Sequence, residues 1–299
     1  MTTTPNTPLP ADTIGSFTDV PSGLKLHHFE AGSGEPVVFI HGSGPGASGI
    51  SNFRHNYAPI AAAGYRVIVV DLPGYGASSK PADAEYTLDF FVSALREQLV
   101  ALGVGRATLL GNSLGGAIAL KYALDFPDDV KALIMMAPGG VEERETYFRM
   151  EGIQKMVSLF TNRQMNRQTM RYLLELLVHD RTLVTDALVE ERLKVCETQP
   201  PEVLSTMRVP NLTERLVELR CPVLGFWGTQ DRFNPVSGAM HFLEQCEDAR
   251  FVLMNRCGHW VMVEHREYFN RECVDFLADL GKGADHAART SKTQDKETA

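Results

Sequence analysis

The sequence predicts an α/β fold, a mostly parallel central sheet flanked by helices, with a helical lid inserted between two of its strands. Three observations carry this. Short apolar runs rich in β-branched residues, each closed by turn residues, recur along the 299 residues. Amphipathic helical segments separate them. The alternation stops from about Val141 to Leu212, where the text turns helical, and resumes at Cys221.

Taken in order, residues 1–15 are polar and almost free of aromatics, and so are residues 282–299, KGADHAARTSKTQDKETA. Neither buries enough apolar surface to offset ordering entropy, so disordered tails are expected. PVVFIHG, YRVIVVDLPG, ATLLGN, VKALIMMAPGG, PVLGFWG and ARFVLMN read as strands. Their near-continuous apolarity implies cover on both faces. In TLDFFVSALREQLVALG the apolar Leu88, Phe91, Val92, Leu95, Leu99 and Leu102 recur at three- and four-residue steps. That spacing makes one buried helical face, with Thr87 as its cap and Gly103 closing its end. MEGIQKMVSLF, MNRQTMRYLLELLVHD and VTDALVEERLKVCE read as helices of the insertion. The core is therefore placed at 20–140 and 213–281, and the helical lid at 141–212. A separate helical domain is the alternative, disfavoured because the strand–helix pattern resumes as if uninterrupted.

Composition removes several function classes. A net charge of −8 provides no basic surface for nucleic acid or anionic membranes. No apolar stretch reaches the roughly 18 residues of a membrane helix. The N-terminus has neither a basic region nor an apolar core, so no secretory signal is read there. Five widely spaced cysteines without a C-x-x-C suit reduced thiols in a cytoplasm. The histidines show no ligand spacing, so no metal is expected. The loop His41-Gly42-Ser43-Gly44-Pro45-Gly46 lacks the lysine and the spacing of a phosphate cradle, and no cofactor is called for.

The chemistry centres on Gly111-Asn112-Ser113-Leu114-Gly115, a G-x-S-x-G between a strand and a helix. Side chains at 111 and 115 would collide with neighbouring backbone in so tight a turn. Ser113 is thereby held above the sheet at a helix N-terminus, where negative charge is favoured. A serine hydroxyl needs a base. His259, in a loop after the last strand, stands where sites of parallel sheets assemble. Asp231, after the penultimate strand, completes the order nucleophile, acid, histidine. Asp71 precedes the serine and reads as the holder of a glycine-rich turn, and Glu264 as a solvated or ion-paired group. An oxyanion hole needs two backbone N–H groups. Leu114 supplies one, and the loop carrying Gly42, Ser43 and Gly44 the other. His41 reads as a structural hydrogen-bonder.

With these parts in this order the chain resembles the α/β-hydrolase superfamily. The wording of HGSGPGASGISNF, GNSLGGAIAL, MAPGG, WGTQDRFNP and CGHWVMVEH further resembles the meta-cleavage product hydrolases, over roughly residues 25 to 280. That resemblance implies the α/β-hydrolase fold and hydrolytic cleavage of a carbon–carbon bond. Its substrate would be a 2-hydroxy-6-oxohexa-2,4-dienoate from aromatic or steroid catabolism. It places Asn112, Arg192 and Trp260 at the polar end of the substrate, Asn52 near the oxyanion loop, and a homodimer or homotetramer in solution. The counterpart of Arg192 binds the substrate carboxylate, with Arg181 and Arg208 as rivals here. Ser43 departs from a glycine common in the family. Phe233 and Met136 are candidates for the apolar side of the pocket, or plain core. A carboxylesterase on the same scaffold and a non-catalytic binding protein remain as alternatives.

Overall fold

The computed structural model describes residues 15–297, with side chains to residue 282. Eight strands form one sheet: β1 (Ser16–Asp19), β2 (Lys25–Ala31), β3 (Glu35–Ile40), β4 (Tyr65–Val70), β5 (Ala107–Asn112), β6 (Val130–Met136), β7 (Val223–Gly228) and β8 (Ala249–Met254). Their spatial order is β1-β2-β4-β3-β5-β6-β7-β8. β1 pairs antiparallel with β2, and β2 with β4; the other pairings are parallel. The six apolar runs become the six parallel strands. β1 and β2 escape the pattern because they lie half-exposed, and His27, His28 and Glu30 interrupt the apolar text of β2.

Successive strand residues feed two different cores, as the two-residue period of a pleated strand requires. Val38, Ile40, Ile68, Val70, Leu133 and Met135 face one side, with α3 (Leu88–Ala101), α4 (Leu114–Asp125) and α10 (Gly238–Gln245) packed on it. Val37, Phe39, Val67, Val69, Ile134 and Met136 face the other, under α1 (Gly49–Phe53), α2 (Tyr57–Ala62), α11 (Val261–Glu264) and α12 (Arg266–Glu297). Double burial explains the continuous apolarity of these strands. In α3 the Thr87 hydroxyl accepts from Phe90 N–H, and Gly103 takes φ +64° beyond the helix end.

Between β6 and β7 lie α5 (Arg144–Arg149), α6 (Glu151–Thr161), α7 (Arg167–Leu177), α8 (Asp186–Cys196) and α9 (Glu202–Ser205). Asn166 caps α7 in a capping box, and the Thr185 hydroxyl accepts from Leu188 N–H at the start of α8. This segment has no core of its own. Met156, Phe160, Met170 and Leu173 join the same cluster as Phe39, Leu110 and Phe226 of the sheet.

The expected tails need correction on one side. Helix α12 runs through Glu297, so the backbone of 282–297 is helical. A proline-free stretch with three Ala and three Lys residues can continue an existing helix without a new nucleation step. The expectation for residues 1–14 and 298–299 lies outside the described residues.

Candidate active site

Ser113 stands between the last residue of β5 and the first of α4, with φ 55° and ψ −115°. A non-glycine residue in such a conformation costs on the order of 1–3 kcal/mol and persists only where its surroundings enforce it. Here they do. Ser113 N–H donates to Met136 O at 3.0 Å, while Ser113 O accepts from Ala117 N–H and Gly139 N–H. A Cβ at Gly111 would lie 2.3 Å from Gly115 O, and one at Gly115 would lie 2.0 Å from Ile40 O. These two glycines let strand and helix meet at the turn. Gly115→Ala is expected to lower stability by about 1–3 kcal/mol, because backbone cannot yield as a side chain does. Thermal unfolding checks this; an unchanged midpoint would mean that the elbow has slack.

Asp231 and His259 are held by separate loops that lock together. Asp231 Oδ2 accepts from His259 Nδ1 at 2.7 Å, and its Oδ1 accepts from Phe233 N–H and Asn234 N–H. Both side chains are buried. The carboxylate therefore fixes the proton on Nδ1 and leaves Nε2 free to accept. Gln230 N–H donates to Cys257 O, and Cys257 N–H to Gln230 Oε1. A Cβ at Gly228 would meet Gly258 O at 2.0 Å, so the acid loop packs directly on the histidine loop. The Phe233 ring lies 5.3 Å from the imidazole, tilted by 34°. Ser113 and His259 line one cavity, but among the described residues no hydrogen bond joins them. Such pairs commonly tighten only when substrate is bound.

Gly42, Ser43 and Gly44 line the same cavity; Leu114 does not, and its side chain is buried at the start of α4. As the first residue of α4, Leu114 has an N–H without an intrahelical acceptor. His41 Nδ1 donates to Gly42 O at 2.8 Å, and its Nε2 accepts from Leu72 N–H. Burial pulls the His41 pKa down to about 4, so the ring is neutral at pH 7. Tyr75 Oη donates to Ser43 O at 3.1 Å. Carbonyl and following N–H point opposite ways across a trans peptide, so these bonds turn the Ser43 and Gly44 N–H groups away from His41 and Tyr75. Gly46, at φ +69°, presses on the Arg192 carbonyl, and its N–H donates to Gln199 Oε1.

On the polar side, Asn112 Nδ2 donates to Met136 O, and Asn52 Nδ2 to Asn112 Oδ1. Arg192, on α8, is 2% exposed and lies over Trp260 with its guanidinium carbon 5.2 Å from the ring. Its hydrogen bonds to Pro45 O and Asn52 Oδ1 are long, both 3.5 Å. Its Nε–H has no partner among the described residues. Nor is any carboxylate there within ion-pairing distance of it. Burial draws its pKa down to about 10, which leaves it charged at neutral pH. Arg181 and Arg208, its rivals in the sequence, are exposed.

Asn52, Asn112, Ser113, Arg192, His259 and Trp260 thus share one cleft of about 350 Å³, its open mouth included. Phe233 forms part of its apolar wall, whereas the Met136 side chain is buried in the core and does not line it. A second cavity of about 270 Å³ shares Gly44, Met156, Leu177, Arg192 and Phe233 with the first. Met170, Leu173 and Leu174 extend it.

Asp71 binds the turn that its position suggests: it accepts from Gly49 N–H, Ala77 N–H and His27 Nδ1. Glu264 does not fit its expected place as a solvated or ion-paired group. It accepts three backbone N–H groups, from Gly258, His179 and Asp180. Gln199 and Tyr75, which brace the loop from His41 to Gly46, carry no local sequence signal, because their partners lie far away in the chain.

The model of the alpha/beta hydrolase fold family matches residues 35–266. A 2-hydroxy-6-oxo-6-phenylhexa-2,4-dienoate hydrolase of Burkholderia cepacia is 36% identical, over 86% of this chain and 93% of its own. A 2-hydroxy-6-oxononadienedioate/2-hydroxy-6-oxononatrienedioate hydrolase of Comamonas testosteroni shows the same identity and coverage. Among solved structures, a meta-cleavage product hydrolase from Pseudomonas fluorescens, a serine-to-alanine mutant complexed with acetates, superposes with a TM-score of 0.79. It is 28% identical, over 89% of this chain and 98% of its own. The chain belongs to the α/β-hydrolase fold family and, within it, to the meta-cleavage product hydrolases.

Proposed function

We propose that the chain hydrolyses the C5–C6 bond of a 2-hydroxy-6-oxohexa-2,4-dienoate bearing an uncharged, apolar group on carbon 6. Ser113 is the nucleophile, His259 its base and Asp231 the acid that orients the imidazole. Arg192 binds the substrate carboxylate, with Asn52, Asn112 and Trp260 around that end. Ketonisation places a proton on carbon 5 and turns carbons 2 to 4 into an electron sink. Ser113 Oγ then adds to the carbon 6 ketone as His259 Nε2 takes its proton. N–H groups of Leu114 and of the Gly42–Gly44 loop hold the resulting oxyanion. Its collapse breaks C5–C6, the electron pair passes to the 2-oxo group, which takes up the proton held by His259, and 2-hydroxypenta-2,4-dienoate leaves with a neutral imidazole behind it. Water, activated by His259, releases the carboxylic acid from Ser113.

The buried guanidinium of Arg192, without a carboxylate partner in a cleft shared with Ser113, carries this reading. A buried charge is costly unless paired, and a substrate carboxylate supplies the pair. The apolar character of the carbon 6 group rests on the second cavity, whose added walls are Pro45, Met170, Leu173 and Leu174. No second Arg or Lys lines either cavity among the described residues.

Steady-state assays test this reading. Dienoates with phenyl or alkyl groups on carbon 6 are expected to show kcat/KM at least tenfold above one carrying a second carboxylate there, and above nitrophenyl esters. Ester turnover without dienoate cleavage would favour a carboxylesterase. Tight dienoate binding with no turnover would favour a binding protein.

No helix among the described residues is long and apolar enough to cross a membrane. The five cysteines are free, which supports the proposed place in a reducing cytoplasm. A homodimer or homotetramer completes the reading. Its support is the exposed apolar side chains of Met240 and Leu243 on α10 and of Leu253 on the edge strand β8.

A further inference from the structure

Glu264 joins the two segments that meet at His259. Its Oε1 accepts from Gly258 N–H at 2.6 Å, directly before the histidine. Its Oε2 accepts from His179 N–H at 2.7 Å and Asp180 N–H at 3.0 Å, in the turn that follows α7. The same junction is close-packed elsewhere. A Cβ at Gly258 would lie 2.7 Å from Leu177 O, and Trp260 N–H donates to Leu177 O at 3.1 Å. Leu177 in turn lines both cavities.

A carboxylate suits this place for a chemical reason. It is acceptor-only, with room for about four hydrogen bonds, and bonds to an ionised acceptor are roughly twice as strong as neutral ones. A glutamine side chain has one acceptor oxygen, and its NH₂ would confront an N–H donor. We infer that Glu264 is a positioning residue: through Gly258 it sets the imidazole of His259 over Ser113, and through His179 and Asp180 it ties that setting to the lid. The inference rests on His259 acting as the base of the proposed reaction.

The test compares wild type with Glu264→Gln and Glu264→Asp. Glu264→Gln is expected to lower kcat for carbon–carbon cleavage roughly 10- to 100-fold, the scale of a catalytic group displaced by up to about 1 Å. KM should stay within about threefold, since Arg192 and the asparagines are untouched. Glu264→Asp, which keeps a carboxylate, should recover part of the rate. Proton NMR provides a readout that needs no substrate. The low-field resonance of the His259–Asp231 hydrogen bond should shift or broaden in Glu264→Gln and return toward its wild-type position in Glu264→Asp. An unchanged resonance with an unchanged kcat, whatever happens to the melting temperature, would overturn the inference. If Glu264→Gln does not fold, Glu264→Ala takes its place, and wild-type kcat and resonance in that variant would equally overturn it. A wild-type protein that cleaves no dienoate would sink the proposed function, while the resonance would still report on Glu264.

Discussion

Ser113→Ala is expected to abolish carbon–carbon cleavage while the variant still binds and partly ketonises the dienoate. The hydroxyl is the group proposed to attack carbon 6, and removal of a nucleophile from a triad typically costs roughly 10⁴-fold or more in kcat. The residues proposed to hold the carboxylate and 2-hydroxy groups, Arg192, Asn52 and Asn112, keep their own hydrogen bonds and stay in place. Stopped-flow absorbance separates the two events, because the conjugated dienolate is coloured and its ketonised form is not. The trace should show loss of the dienolate band without release of 2-hydroxypenta-2,4-dienoate. Normal turnover without the hydroxyl would overturn the assignment of Ser113.

Arg192→Met should produce the second-largest effect, and stability and activity should part company. Arg192 is fully buried, its hydrogen bonds are long, and its Nε–H has no partner among the described residues. A desolvated charge so weakly compensated is a burden on the folded protein, and apolar replacement of buried ionic groups is often neutral or stabilising. The melting temperature of Arg192→Met should therefore equal or exceed that of wild type. Its kcat/KM should fall by roughly 2–5 kcal/mol of lost interaction, about thirtyfold to several thousandfold. Arg192→Lys keeps the charge without the planar fork and should fall between the two. An Arg192→Met variant with wild-type kcat/KM would place the carboxylate elsewhere in the cleft.

Much of this molecule is readable from its sequence because burial on both sides leaves a plain signal. Val37 to Ile40 and Val67 to Val70 alternate between two cores, and each run is accordingly apolar throughout. The G-x-S-x-G turn is legible for a similar reason: backbone lies about 2 Å from where a side chain at Gly111 or Gly115 would begin. His259 is legible by its position after a parallel strand. β2 stays hidden because a half-exposed antiparallel strand can carry His27 and Glu30, and its buried His28 is polar in the text as well. Glu264 misleads because its meaning lies in the donors it serves. Two of those are peptide groups 84 and 85 residues earlier in the chain, and an N–H has no letter in a sequence. Gln199 escapes likewise: its amide spans Gly46 N–H and Gly74 O.

Quantified products from wild-type enzyme and 2-hydroxy-6-oxo-6-phenylhexa-2,4-dienoate test the central claim most directly. A single-turnover reaction, quenched at intervals and analysed by mass spectrometry, reads both fragments at once. The account predicts benzoate and 2-hydroxypenta-2,4-dienoate in equal amounts, each matching the dienoate consumed, with no such products from Ser113→Ala. Intact dienoate after prolonged incubation with wild-type protein that still hydrolyses nitrophenyl esters would contradict it.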